Sequence, residues 1–167
     1  MSTINGRACV VNGTPVDKVF SNGKQVYGRN LALNTSIPIS IQGDSSGWQD
    51  VKKIELSQNP AGLTVTFSYA VTIDRLDSGS LRMQFLANFS PAGGMPIFVD
   101  FKSLQPGVKT NFYKTIVFPT FNSSIGSFND YMIIGISNSS ALVKFEDLNV
   151  VIGDKILPHS PAPEDVM

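Results

Sequence analysis

The sequence predicts an all-β fold: an antiparallel jelly-roll β-sandwich preceded by N-terminal β-hairpins. Three observations carry this. Helical spacing is nearly absent, period-2 alternation recurs along the chain, and two Asn-Gly pairs sit between apolar residues near its start. At 167 residues, the length suits one domain with a sizeable core.

The elements follow in order. In ACVVNGTPVDKVFSNGKQVYGRN, Asn12-Gly13 and Asn22-Gly23 predict type I′ hairpin turns, because both residue types tolerate positive φ. Residues 1–30 therefore read as hairpins. They carry few large apolar side chains, which implies a partner surface. Residues 31–157 form the sandwich. In GLTVTFSYAVTID, Leu63, Val65, Phe67, Tyr69, Val71 and Ile73 share one face, and Thr64, Thr66, Ser68 and Thr72 the other. SLRMQFLANFS repeats the design, with Leu81, Met83, Phe85, Ala87 and Phe89 against Arg82, Gln84, Leu86 and Asn88. DRLDSGS between them reads as a hairpin turn. NFYKTIVF, YMIIGIS and ALVKFEDLNVVIG supply further strands, separated by Gly/Pro and Ser/Asn clusters. Residues 158–167 form a Pro-rich acidic tail. Prolines at 158, 161 and 163 cannot extend a central strand, so the tail is expected to be a stiff spacer.

Composition excludes several functions. Charged residues are 16% of the chain, with 13 Lys plus Arg against 13 Asp plus Glu. No global field draws nucleic acid or an anionic membrane, and no basic run exceeds Lys52-Lys53. Cys9 is the lone cysteine, so neither an internal disulfide nor a thiolate metal cluster can form. That suits folding in a reducing cytoplasm. The N-terminus lacks a signal-peptide core, and no apolar run reaches membrane-helix length.

Catalysis is not expected. The single histidine, His159, lies in the tail, away from any Ser-His-Asp arrangement on the body. Glutamate occurs only at Glu55, Glu146 and Glu164, and most aspartates fall at turns, which argues against a glycosidase carboxylate pair. No cofactor is implied. Asp147 in FEDLNV is a candidate for a structural calcium; the alternative is a strand-end bulge with both acids in water.

Aromatic residues bear on binding. Phe67, Phe85, Phe89, Phe118 and Phe145 are in register with aliphatic neighbours and belong to the core. Trp48 differs, embedded in the polar QGDSSGWQD. Two roles fit it: stacking on a sugar face, or covering the open end of the sandwich. Tyr113 and Tyr131, with Arg82, Gln84 and Asn88, would complete a polar, aromatic-edged sheet face for neutral polysaccharide. An ordinary solvated face accounts for the same residues.

The chain ends sharpen the reading. VVNGTPVDKVFSNGKQVYGRNLALNTS resembles a segment of tail and baseplate proteins from phages of lactobacilli and related Gram-positive bacteria, where it leads into a carbohydrate-module-like jelly roll. LSQNPAGLTVTFSYAVTID and ALVKFEDLNVVIGDKILPHSPAPEDV are similar to that module's second and last strand regions. Family members close with Lys-x-Thr-x-Trp-(Ser/Thr)-Pro-Ala-Pro-Glu-Asp; here Ser160 to Asp165 match, and His159 stands at the tryptophan position. The resemblance implies a tail, baseplate or neck protein of the virion, with a jelly roll similar to family 4/9/22-type modules. It further implies adhesion to host cell-wall polysaccharide without cleavage, contacts to other virion proteins through residues 1–30, and a homo-oligomer in the particle. A structural decoration protein that binds no sugar is the alternative. No binding residue is carried over by motif.

Overall fold

The structure is a computed structural model that describes residues 9–85, 89–90, 94–121 and 131–166. Strands β1 (Val10–Val11), β2 (Thr14–Pro15), β3 (Lys18–Ser21) and β4 (Lys24–Gly28) form two hairpins. Their tips are Asn12-Gly13 (φ 50° and 79°) and Asn22-Gly23 (φ 50° and 74°), the positive-φ pairs that the Asn-Gly sequences predicted.

The body consists of β5 (Ile39–Gln42), β6 (Trp48–Glu55), β7 (Thr64–Ile73), β8 (Ser80–Gln84), β9 (Phe89–Ser90), β10 (Ile97–Asp100), β11 (Thr110–Val117), β12 (Thr120–Phe121), β13 (Tyr131–Ser137) and β14 (Leu142–Ile152). Two antiparallel sheets, ordered β10-β8-β13-β6 and β11-β7-β14-β5, face each other as a jelly-roll sandwich. The chain crosses between them at almost every connection, so its core is assembled from contacts remote in sequence. Val65, Phe67, Tyr69, Val71 and Ile73 point inward from β7, opposite Leu81 and Met83 of β8 and Met132, Ile134 and Ile136 of β13. All five phenylalanines assigned to the core are buried. Phe85, Phe89 and Phe118 pack together with centroid separations of 4.9–5.6 Å. Each contributes on the order of 1.5–3 kcal/mol by leaving water. Among the described residues there is no α-helix; 3-10 turns occur at Phe101–Ser103 and Pro163–Asp165.

Three sequence expectations need correction. DRLDSGS is not a hairpin turn, because β7 and β8 lie in different sheets. Its aspartates instead anchor the β13–β14 connection. Asp74 accepts from the Leu142 amide (2.8 Å), and Asp77 from the amides of Ser140 (2.7 Å) and Ala141 (3.1 Å). SLRMQFLANFS is not one strand: β8 ends at Gln84, and β9 pairs with β12 rather than continuing β8. Ala87, Leu86 and Asn88 lie outside the described residues.

The third concerns the tail, which folds back onto the body instead of projecting. Asn30, fully buried, organises it. Its side-chain oxygen accepts from the amides of Ala32 (3.1 Å) and Val150 (2.8 Å). Its NH2 group donates to Thr35 Oγ1 (3.0 Å) and to the carbonyls of Leu148 (2.9 Å) and Ser160 (3.0 Å). Arg29 pairs with Glu164 and with Asp17 (3.3 Å), and the Asp165 carboxylate accepts from the Asn34 amide (2.8 Å). GRN and SPAPED, far apart in sequence, are two halves of one clamp. Gly28 is part of it: a Cβ there would meet Val151 Cγ1 at 2.3 Å and Leu157 Cδ1 at 2.7 Å.

Candidate functional site

The outer face of the β10-β8-β13-β6 sheet carries the candidate site. Alternation along β8 turns Leu81 and Met83 inward and leaves Arg82 and Gln84 facing out. Arg82 is flanked in register by Phe98 of β10 on one side and Gly135 of β13 on the other. Gly135 in turn faces Asp50 of β6. With no side chain at Gly135, the Arg82 guanidinium crosses β13 to reach β6. A Cβ at Gly135 would lie 2.7 Å from the Gln49 carbonyl oxygen and 3.0 Å from Asp50 Oδ1.

On β6, Val51 is an extra residue: Asp50 opposes Gly135 and Lys52 opposes Ile134, so a bulge sits beside the crossing point. Bulges re-aim neighbouring side chains, and here Trp48 and Asp50 both converge on Arg82. The Arg82 guanidinium lies 3.8 Å from the Trp48 ring centroid, hydrogen-bonds Asp50 Oδ1 (3.1 Å) and donates to Gln84 Oε1 (2.6 Å). One ring face of Trp48 is thus backed by a cation, while the residue stays 45% exposed. Phe98, 54% exposed, extends the strip at its other end. The result is a flat aromatic platform edged by an amide and a carboxylate, with its central charge paired.

Of the residues expected to form one face, Trp48, Arg82 and Gln84 are brought together. Tyr131 shares their sheet and face, at the other end of β13 under Lys53, whose Nζ is 4.4 Å from the ring centroid. Tyr113 does not join them. It lies on β11 of the opposite sheet, 68% exposed, because alternation assigns a residue to a face and says nothing about which sheet. Asn88 lies outside the described residues. Sequence reasoning missed Phe98 and Asp50. Phe98 was detectable as the outward member of MPIFVD, where Ile97 and Val99 are buried.

Asp147 is the inserted residue of a bulge within β14, at φ 58°. Its carboxylate pairs with Lys109 (2.5 Å), and Glu146 pairs with Lys109 and Lys144. The two lysines hold the Glu146 carboxyl below its ordinary range. No group of three or more His, Cys, Asp or Glu gathers among the described residues. His159 Nε2 lies 3.3 Å from Thr35 Oγ1, and burial pushes the imidazole below its usual pKa. The single histidine thus belongs to the clamp.

No protein-family model and no curated protein matches this chain. Among solved structures, it is similar to the tripod (BppUct-A-L) from the baseplate of bacteriophage Tuc2009, with a TM-score of 0.53 and 13% identity. That match covers 83% of this chain and 60% of the baseplate chain, so this chain spans less than two thirds of its neighbour's length. A structure described as "CBM4 structure and function" aligns with a TM-score of 0.42 and 12% identity, over 70% of this chain and 82% of that one. The class is defined by the fold: an antiparallel β-sandwich of the kind also found in a phage baseplate component.

Proposed function

We propose that this protein is an accessory component of a phage virion, in the tail, baseplate or neck. It binds polysaccharide of the Gram-positive host cell wall through the outer face of the β10-β8-β13-β6 sheet, without cleaving it. The observation that carries this reading is the solvent-facing Trp48 ring, held over Arg82 and flanked by Gln84 and Asp50. A pyranose presents apolar C–H groups to such a ring and hydroxyls to the amide and carboxylate beside it. Arg82 is already paired, which favours a neutral saccharide over an anionic one. The baseplate-like fold supports the virion assignment. Many copies in one particle, including a homo-oligomer, make weak sites effective, since later engagements become intramolecular. The N-terminal hairpins, with Val11 and Phe20 57% and 60% exposed, serve as the attachment element for neighbouring virion proteins.

A second reading has its own observation. Every polar contact that fixes Arg82 is internal, so the strip also fits a purely structural decoration protein that keeps the fold without the ligand. Titrating the protein with host wall polysaccharide while following emission of Trp48 separates the two. Saturable change in emission supports binding. A flat response, together with no retention of polysaccharide, excludes it and leaves the structural role.

A further inference from the structure

We infer that the opposite sheet carries a second saccharide site, in the groove between β11 and the docked tail. It shares the ligand class of the proposal above, and to that extent rests on it, but it uses none of the same residues. The groove encloses about 240 Å3 and is lined by Ser68, Asn111, Tyr113, Ile156, Pro158 and His159, among others. That is below the roughly 300–1,000 Å3 typical of drug-sized ligands, so it suits a single ring of a longer chain whose neighbours stay in water.

The groove is built by the clamp. Tyr113 stands opposite Ser68 in register, which puts a 68%-exposed aromatic ring beside a small hydroxyl on the floor. Across from them, the tail forms a fixed wall. Asn149 Nδ2 lies 3.5 Å and 3.4 Å from the carbonyls of Leu157 and Pro158, and Asn30 binds the Ser160 carbonyl. Pro158 adds a fixed φ, so little ordering cost is left for ligand binding. Among the described residues, neither the Ser68 hydroxyl nor the Asn111 amide is engaged by another group, and both line the groove. Asp147 closes one end with its charge neutralised by Lys109. An exposed ring, an amide, a hydroxyl and no unpaired charge select a neutral polyhydroxylated ligand over an anion. Two platforms on opposite faces would let one domain engage two strands of wall polysaccharide.

The test is NMR titration of the 15N-labelled full chain with neutral oligosaccharides prepared from Gram-positive wall polysaccharide, in wild type, Trp48→Ala, Tyr113→Ala and Asn111→Ala. The expected result is saturable shifts at Ser68, Asn111 and Tyr113 that persist in Trp48→Ala. They should weaken about tenfold in Tyr113→Ala, a surface change that leaves the fold intact. Shifts confined to the surroundings of Trp48 would overturn the second site while leaving the first. Shifts only at the β11 groove would do the reverse. No shift at either face overturns both.

Discussion

Replacing Asn30 with alanine should be among the most damaging single changes in the chain. The side chain is wholly buried and links the hairpin arm, the body and the tail through five hydrogen-bonded contacts. A buried hydrogen bond contributes roughly 0.5–1.5 kcal/mol net, and a buried group left without a partner costs about 1–3 kcal/mol. Alanine satisfies none of the Ala32 and Val150 amides or the Leu148 and Ser160 carbonyls, and the space it leaves is too enclosed for full repair by water. The sum is about 4 kcal/mol, in the range reserved for broken buried networks. For a domain of this size that is a fall of roughly 10 °C in Tm. Thermal and denaturant unfolding give the total, and hydrogen exchange locates it. The Val150 amide should lose protection well before amides in β8 and β13. A loss under about 1 kcal/mol with unchanged exchange at Val150 would refute the clamp and the docked tail with it.

Other changes test neighbouring parts of the account. The Asp77 carboxyl is held down at about 2, first by the Ser140 amide and then by Ser78, Ser139 and the Ser140 hydroxyl. A carboxyl depressed in the folded state stabilises above its unfolded value near 4 and stops doing so as pH falls toward 2. Asp77→Asn should therefore cost roughly 1 kcal/mol at pH 7 after solvent screening and almost nothing at pH 2; equal losses at both pH values would exclude the assignment. Gly135→Ala should cost about 1–3 kcal/mol and alter Trp48 emission, because the added carbon meets the Gln49 carbonyl at 2.7 Å. Unchanged emission would mean that Arg82 does not depend on the gap. Arg82→Ala should lower Tm only modestly and weaken polysaccharide retention severalfold by freeing the Trp48 ring, as equilibrium binding would register.

Local signals in the sequence translated into structure where the physics was local. The Asn-Gly turns needed only their own φ preferences, and β7 was legible because five inward residues alternate without interruption. What failed was long-range. Aspartate and glycine in DRLDSGS announced a turn, but not that Asp74 and Asp77 would bind backbone more than sixty residues away. The prolines of the tail excluded a strand, yet docking depends on an asparagine 130 residues upstream of Ser160. The candidate face was half legible for the same reason. Arg82 and Gln84 alternate outward visibly, while the partnership of Trp48, Asp50 and Phe98 with Arg82 exists only once β6, β13, β8 and β10 are laid side by side.

The central claim, adhesion through the Trp48 face, is tested most directly by retention of the intact protein, labelled at Cys9, on Gram-positive host cells. The account predicts saturable retention that soluble wall polysaccharide competes away and that Trp48→Ala reduces about tenfold. Retention unaffected by Trp48→Ala and by the competing polysaccharide would contradict it.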